Sequence, residues 1–104
     1  MNQNIERLLT LVAGASDKFM ACHKDLSTTV GLLEKNLHES SAVTIENVKL
    51  GQKLMFIILD AHPETVGIGV GATGSDEVNF IAQYSLLELN TELIMDLMEQ
   101  KLVS

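Results

Sequence analysis

The sequence is poor in aromatic residues, in cysteine and in long hydrophobic runs, and each shortage limits what the protein can be. Aromatic side chains make up 4% of the 104 residues and tryptophan is absent, so we expect an aliphatic core built from Leu, Ile, Val and Met. The one cysteine, Cys22, excludes an internal disulfide bond and fits a reducing compartment. No uncharged run reaches the roughly 18 apolar residues that a membrane-spanning helix needs. We therefore expect a cytoplasmic protein, and its length predicts a single domain.

Basic residues are scarce in the second half of the chain, where all of the net charge lies. Residues 1–53 carry six acidic and six basic side chains, whereas residues 54–104 carry eight acidic side chains against Lys101 alone, which gives the net charge of -7. A field of one sign attracts cationic partners and repels nucleic acid and anionic membranes. Clusters of basic residues interleaved with aromatic ones are also absent from the sequence, so we expect neither nucleic-acid nor membrane binding.

A seven-residue apolar repeat near the N-terminus predicts a long helix over residues 2–38. Repeats of this spacing place the apolar side chains along one seam. A straight helix of this length would measure roughly 55 Å, whereas a compact domain of this size has a radius of gyration of about 13 Å. The helix should therefore break near Gly14 or Gly31, or its seam should be covered by another copy of the chain, and we favour self-association. The residues predicted to form this oligomer interface are Ile5, Leu8, Val12, Phe19, Leu26 and Leu33.

The segment 42–73 has the pattern of extended structure. Val43 and Ile45 alternate with their neighbours, an apolar block follows at residues 54–59, and glycines alternate with β-branched residues at 66–71. The only proline, Pro63, supplies turn chemistry between the last two runs. A small antiparallel β-meander fits this pattern best. The alternative is an all-α hairpin or bundle in which residues 50–61 form a buried helix.

A second long helix is predicted over residues 75–102. Ser75 suits the N-cap, Asp76 and Glu77 suit the first turn, and apolar residues recur every three or four positions. Four acidic residues of this segment are spaced so that they would form one ridge on the helix, and they are Glu88, Glu92, Asp96 and Glu99. Like charges at such spacing destabilise an isolated helix by roughly 0.2–0.5 kcal/mol per pair.

Three explanations fit this acidic ridge. It can be a solvated face that keeps the protein soluble, it can pair with Lys18, Lys24 or Lys35 of the first helix, or it can be a docking surface for a basic protein. Electrostatic complementarity of the last kind sets the association rate and the choice of partner more than the affinity. Because folding does not require the ridge, we take its four residues as the candidate partner-binding site.

A glycine motif precedes the predicted second helix. Gly69, Gly71 and Gly74 match the G-x-G-x-x-G pattern, and with Ser75 they could place backbone N–H groups around a phosphate. The chain is too short for a doubly wound nucleotide domain, and Asp76 and Glu77 would lie where the phosphate should bind. The pattern therefore favours a tight turn with close packing, and a ligand loop over residues 67–75 between subunits is the alternative.

Other residues that could carry chemistry form no convincing catalytic or metal set. Asp60, His62 and Glu64 alternate along an extended segment, but nothing supplies further metal ligands, so a polar hairpin tip is expected. Cys22 falls on the predicted seam, where a small buried side chain is expected rather than a nucleophile. Core filling is also the expected role of a methionine group, Met55, Met95 and Met98, although a flexible binding groove is conceivable.

Together these patterns predict an α+β fold in which two long helices flank a small antiparallel β-meander, assembled as an oligomer. The predicted function is that of a non-enzymatic regulator, adaptor or inhibitor. It would self-associate through its N-terminal helix and dock on a basic partner through its C-terminal helix, without a cofactor. The alternative function is binding of a small molecule or nucleotide at the glycine-rich loop 67–75.

Overall fold

The computed structural model describes residues 3–24, 26–33, 40–47, 49–59, 61–74 and 78–102, which form two helices and five strands. The chain begins with helix α1 (Gln3–Cys22) and ends with helix α2 (Thr91–Lys101). Between the helices lie β1 (Thr29–Leu33), β2 (Ser40–Asn47), β3 (Gln52–Leu59), β4 (His62–Ala72) and β5 (Asn79–Ser85), followed by a short 3-10 helix (Leu86–Glu88).

The strands form one antiparallel sheet in the order β1-β2-β3-β4-β5, so each strand pairs with the next one along the chain. In its centre Val43 lies opposite Phe56, and Phe56 lies opposite Ile68. The α+β class and the antiparallel meander are therefore confirmed, and the all-α alternative is wrong. The meander is larger than predicted because β1 and β5 extend it into segments that were expected to be helical.

The N-terminal helix ends at Cys22 and does not continue to residue 38. The apolar repeat runs on past this point, but residues 27–30 are Ser, Thr, Thr and Val, and such short polar and β-branched side chains are poor helix formers. At 1.5 Å per residue the helix is about 30 Å long, which fits within the longest extent of the molecule, 38 Å. The helix therefore does not overhang its own domain, which was the reason for expecting a second copy.

The apolar seam of α1 is covered by the same chain. Ile5, Leu8, Val12 and Phe19 are at most 1% exposed and belong to the core that also contains strand and α2 side chains. Leu26 packs against this core from the loop after α1, and the side chain of Leu33 lies outside the described residues. The predicted oligomer interface is thus largely the interior of one chain, because the sheet and α2 supply the apolar surface that a second copy was expected to supply.

The C-terminal helix begins at Thr91, not at residue 75. Asn90 is its N-cap, and the Asn90 side chain accepts a hydrogen bond of 2.8 Å from the Leu93 N–H. Residues 79–85, which the helical spacing had assigned to this helix, form β5 because Phe80, Ile81 and Tyr84 suit a strand better. Ser75, Asp76 and Glu77, the predicted helix start, lie outside the described residues.

Both helices cover the same face of the sheet. The side chains of this face alternate along the strands and are buried against α1 and α2, and they include Val43, Ile45, Leu54, Phe56, Ile58, Val66 and Ile68. Asn47 connects the end of α2 to this layer, because its buried side-chain amide donates a 2.7 Å hydrogen bond to the Leu102 carbonyl. No helix within the described residues covers the opposite face, and this asymmetry decides where a binding surface can lie.

Candidate functional site on the uncovered face of the sheet

A cleft of about 580 Å³ lies on the uncovered face of the sheet, over β3, β4 and β5. Its walls are mainly apolar, and three polar side chains stand among them. The lining residues are Ile57, Leu59, His62, Thr65, Gly67, Phe80, Ala82 and Gln83. None of them is acidic, which sets the cleft apart from the rest of a chain with a net charge of -7.

The cleft exists because Gly67 has no side chain. In the strand register Gly67 lies between Ile57 on β3 and Gln83 on β5, so the missing side chain leaves a trough between these two neighbours. The Phe80 ring leans over the trough, with Cε1 3.2 Å from the place that a Gly67 Cβ would occupy. Phe80 is nevertheless 65% exposed, so one wall of the cleft is a large aromatic ring in contact with water.

Exposed apolar side chains concentrate along β5 and the 3-10 helix after it. Of the five large hydrophobic side chains that are exposed among the described residues, three lie here, namely Phe80 (65%), Ile81 (40%) and Leu87 (78%). Ile81 is the extra residue of a β-bulge, because the register with β4 shifts between Ile68 and Gly69. Residues 78–87 contain no charged side chain. This stretch is therefore an apolar, uncharged border on an acidic protein.

The acidic ridge predicted for the C-terminal helix is divided in the structure. Glu88 lies in the 3-10 helix, where its Oε1 accepts a 2.9 Å hydrogen bond from the Ser85 N–H and completes a capping box. Glu92, Asp96 and Glu99 lie on α2 and are exposed. Glu88 therefore has a structural role, and three of the four predicted partner-binding residues remain on one exposed helix face.

One member of the remaining ridge contacts α1. The Oε2 atom of Glu99 lies 3.1 Å from Nε2 of His23, whose ring packs against Phe19 with 4.6 Å between ring centroids. Neither Glu92 nor Asp96 forms an ion pair with any residue that the structure describes. Lys18 and Lys24, which were considered as ridge partners, are exposed and likewise form none there; Lys35 lies outside the described residues.

The glycines of the motif lie in a strand and in the turn that follows it. Gly69 and Gly71 lie within β4, and Gly74 lies in the turn after it with a φ of +82°. The next element among the described residues is β5, so the described part of the chain offers no helix N-terminus after Gly74 for a phosphate. Gly69 instead allows close packing, since a Cβ added there would lie 2.1 Å from Cγ1 of Val78. Ser75 lies outside the described residues.

The structure describes part of the predicted polar hairpin tip. His62 and Glu64 are exposed on β4, Asp60 lies outside the described residues, and no cluster of three or more metal-ligating side chains occurs among those that the structure describes. Cys22 is exposed at the end of α1 and not buried on a seam, because the helix stops there.

Neither helix of the described segments combines the length and apolar character that crossing a membrane requires.

The methionines do not share one surface. Met98 is fully buried in the core beneath α2, and Met95 packs against the same core. Met55 is also buried, but it alternates with the core residues Leu54 and Phe56 and so belongs to the opposite face of the sheet. Core filling is thus the role of Met95 and Met98, and the three side chains form no common groove.

Sequence reasoning missed Phe80, Ile81 and Leu87 as candidate binding residues. Helical spacing assigned their segment to the C-terminal helix, which hid the alternation typical of a strand. The available signal was the uncharged stretch 78–87 within the acidic half of the chain.

Compared with protein-family models, curated proteins and solved structures, the chain matches none of them.

Proposed function

We propose that this chain is a non-enzymatic interaction protein that docks on a basic protein surface through the exposed acidic face of α2. The observation that carries the proposal is the ridge of Glu92, Asp96 and Glu99, which are exposed at spacings of four and three residues on one short helix. Carboxylates so placed repel one another. The ridge therefore opposes folding slightly, and docking on a cationic partner gives it a use.

The helix that carries the ridge is held firmly. Its opposite face contributes Ile94, Leu97 and Met98 to the core, Asn90 caps its start, and Asn47 binds the carbonyl just beyond its end. The backbone of a helix fixed in this way does not have to become ordered when a partner binds to its charges. Such a ridge would increase the association rate and select the partner, with an effect that weakens as salt screens the charges.

A charge-neutralised variant tests this proposal against a control of equal net charge. In the ridge variant Glu92→Gln, Asp96→Asn and Glu99→Gln remove three negative charges. In the control the same changes are made at exposed acidic residues away from α2, namely Glu6→Gln, Asp17→Asn and Glu64→Gln. Each protein is used as bait in native extracts, and captured proteins are quantified and then measured by surface plasmon resonance at low and high salt.

We expect a basic protein that the wild type and the control capture equally and the ridge variant loses. Its association rate with the wild type should fall as salt rises. Equal capture by all three proteins, or a dissociation constant that does not change between low and high salt, would contradict docking through this face.

A second candidate function is binding of a small apolar molecule in the cleft. The sequence suggested a small-molecule site at the glycine-rich loop 67–75, and the cleft is now the better candidate for such a site. Small-molecule sites are typically concave, about 300–1,000 Å³ in volume, and mostly apolar with a few polar groups. The cleft has this character, with His62, Thr65 and Gln83 as its polar groups.

Melting temperatures in the presence of amphipathic metabolites test this second function. A ligand of the cleft should raise the melting temperature of the wild type and of Leu50→Ala, which changes an exposed residue outside the cleft. It should have no effect on Phe80→Ala, which removes one wall. A screen without any stabilising compound would remove this candidate.

A further inference from the structure

No strand among the described residues pairs with the outer edge of β5, and neither a charged side chain nor proline blocks this edge. β5 is the last strand in the sheet order and runs for seven residues, Asn79–Ser85. Natural proteins commonly block such edges with charged side chains, proline or β-bulges, since unpaired N–H and C=O groups can pair with another strand. β5 contains no charged residue and no proline, although the chain as a whole has a net charge of -7. Its one protective feature of this kind is the bulge at Ile81.

The other edge of the sheet differs in what its side chains do. β1 has five residues, and its Val30 and Leu32 pack against the core. On β5 the large side chains of Phe80 and Ile81 are exposed, and Leu87 follows just after the strand. Exposed apolar surface and an open row of backbone groups therefore coincide at β5.

We propose that β5 is a homodimer interface, at which it pairs antiparallel with β5 of a second copy about a two-fold axis to give one continuous sheet. In such an isologous contact the same surface serves both subunits. Because the edge carries no charge, pairing it with itself sets no like charges opposite each other. The exposed side chains of Phe80 and Ile81 lie on the paired strand itself, so dimerisation would bury part of their apolar surface.

The acidic charge of the chain opposes this arrangement only weakly. α2 packs over β3, two strands in from the edge. In the continuous sheet the two β3 strands would be five strand spacings apart, or about 24 Å at roughly 4.8 Å per strand. The Debye length at physiological salt is about 8 Å, so the two acidic ridges would be largely screened from each other. This dimer is independent of the proposed docking function and uses a different surface.

A matched pair of lysine substitutions tests the interface. Ile81→Lys places a charge on the edge, whereas Leu50→Lys makes the same change at a residue of equal exposure, 40%, in the turn between β2 and β3. Both variants have the same net charge. Because the added lysine lowers the negative charge of the chain in both, each should slightly weaken the general electrostatic repulsion between copies. Sedimentation equilibrium gives the dimer dissociation constant, and far-UV circular dichroism checks that each variant is folded.

We expect the wild type and Leu50→Lys to dimerise with similar affinity and more tightly at high salt, and Ile81→Lys to weaken the dimer at least tenfold. Amide hydrogen exchange provides a second test that needs no variant, because protection of residues 79–85 should increase with protein concentration. A wild type that stays monomeric at millimolar concentration, a dimer that Ile81→Lys leaves unchanged, or equal weakening by both variants would overturn the proposal. Exchange in β5 that is independent of concentration would also overturn it.

Discussion

Replacing Gly69 by alanine should destabilise the protein, although the change adds one methyl group to a strand. A Cβ at this position would lie 2.1 Å from Cγ1 of Val78 and 3.6 Å from its Cβ. Carbon atoms in good contact are about 3.5–4.0 Å apart, so Val78 would have to move by more than an ångström. The φ of Gly69 is not positive, so the backbone accepts alanine and the penalty is steric.

The magnitude follows from two opposing terms. Overpacking of this kind destabilises a protein by about 1–3 kcal/mol, and Val78 is a β-branched side chain with few alternative rotamers. Replacing glycine by alanine in a strand recovers about 0.5–1 kcal/mol of backbone entropy. We therefore expect the free energy of unfolding to fall by about 1–2 kcal/mol, and the melting temperature to fall by roughly 4–8 °C for each kcal/mol.

Urea unfolding followed by far-UV circular dichroism measures this effect, and Gly67→Ala is the matched control. A Cβ at Gly67 would lie 3.2 Å from the exposed Phe80 ring, which can tilt away, and in ordinary contact with the Ile57 carbonyl oxygen at 3.9 Å. The effect of Gly69→Ala should also disappear when it is made in a Val78→Ala background. The steric reasoning would be refuted if Gly69→Ala were as stable as Gly67→Ala, or if Val78→Ala failed to remove the penalty.

Two further substitutions test the core. Asn47→Ala leaves the Leu102 carbonyl and the Leu50 N–H without their side-chain partner. In urea titrations the free energy of unfolding should therefore fall by about 2–3 kcal/mol. A loss below about 0.5 kcal/mol would contradict this role of Asn47. Phe19→Ala should lower it by about 3–5 kcal/mol because this ring is fully buried within one chain, and the dimer dissociation constant of any protein that stays folded should not change. Weaker dimerisation of Phe19→Ala would instead favour the seam as an interface between copies.

The first helix was correctly predicted where the apolar repeat coincides with good helix formers. Leu8, Val12 and Phe19 lie one above the other and are buried, as their spacing indicated. The repeat continued through Leu26 and Leu33 by coincidence, because a seven-residue spacing says nothing about the residues between. The Ser, Thr, Thr and Val at residues 27–30 carried the information that was needed.

The C-terminal half shows why spacing alone can misplace an element. Val78, Ala82 and Leu86 are spaced as on a helix, yet Val78 to Tyr84 also alternate as on a strand, and pairing with the exposed edge of β4 decided between them. Later start signals were present: Ser85 with Glu88 forms a capping box, and Asn90 caps α2. Two signals of this kind in six residues argued for a helix that begins late.

The candidate surfaces were predicted only in part, because exposure depends on tertiary packing. The acidic residues could be placed on one face from their spacing, but the use of Glu88 in a cap required the true start of the helix. The cleft could not be predicted, since its walls come from three strands and its openness depends on which face of the sheet the helices cover. Alternation of apolar and polar residues normally identifies the buried face of a strand, but β3 is apolar on both faces at residues 54–59 and so does not identify it.

The position of α1 has a consequence for how the chain folds as it is made. The strands can form one after another, because each pairs with its neighbour in sequence. α1 is made before all of them, yet it packs against β1, β2 and α2. During synthesis at roughly 5–20 residues per second, the part of its apolar face that α2 covers stays exposed for several seconds until α2 emerges. The nascent chain is therefore most vulnerable to aggregation in α1, whose apolar side chains are buried in the finished protein.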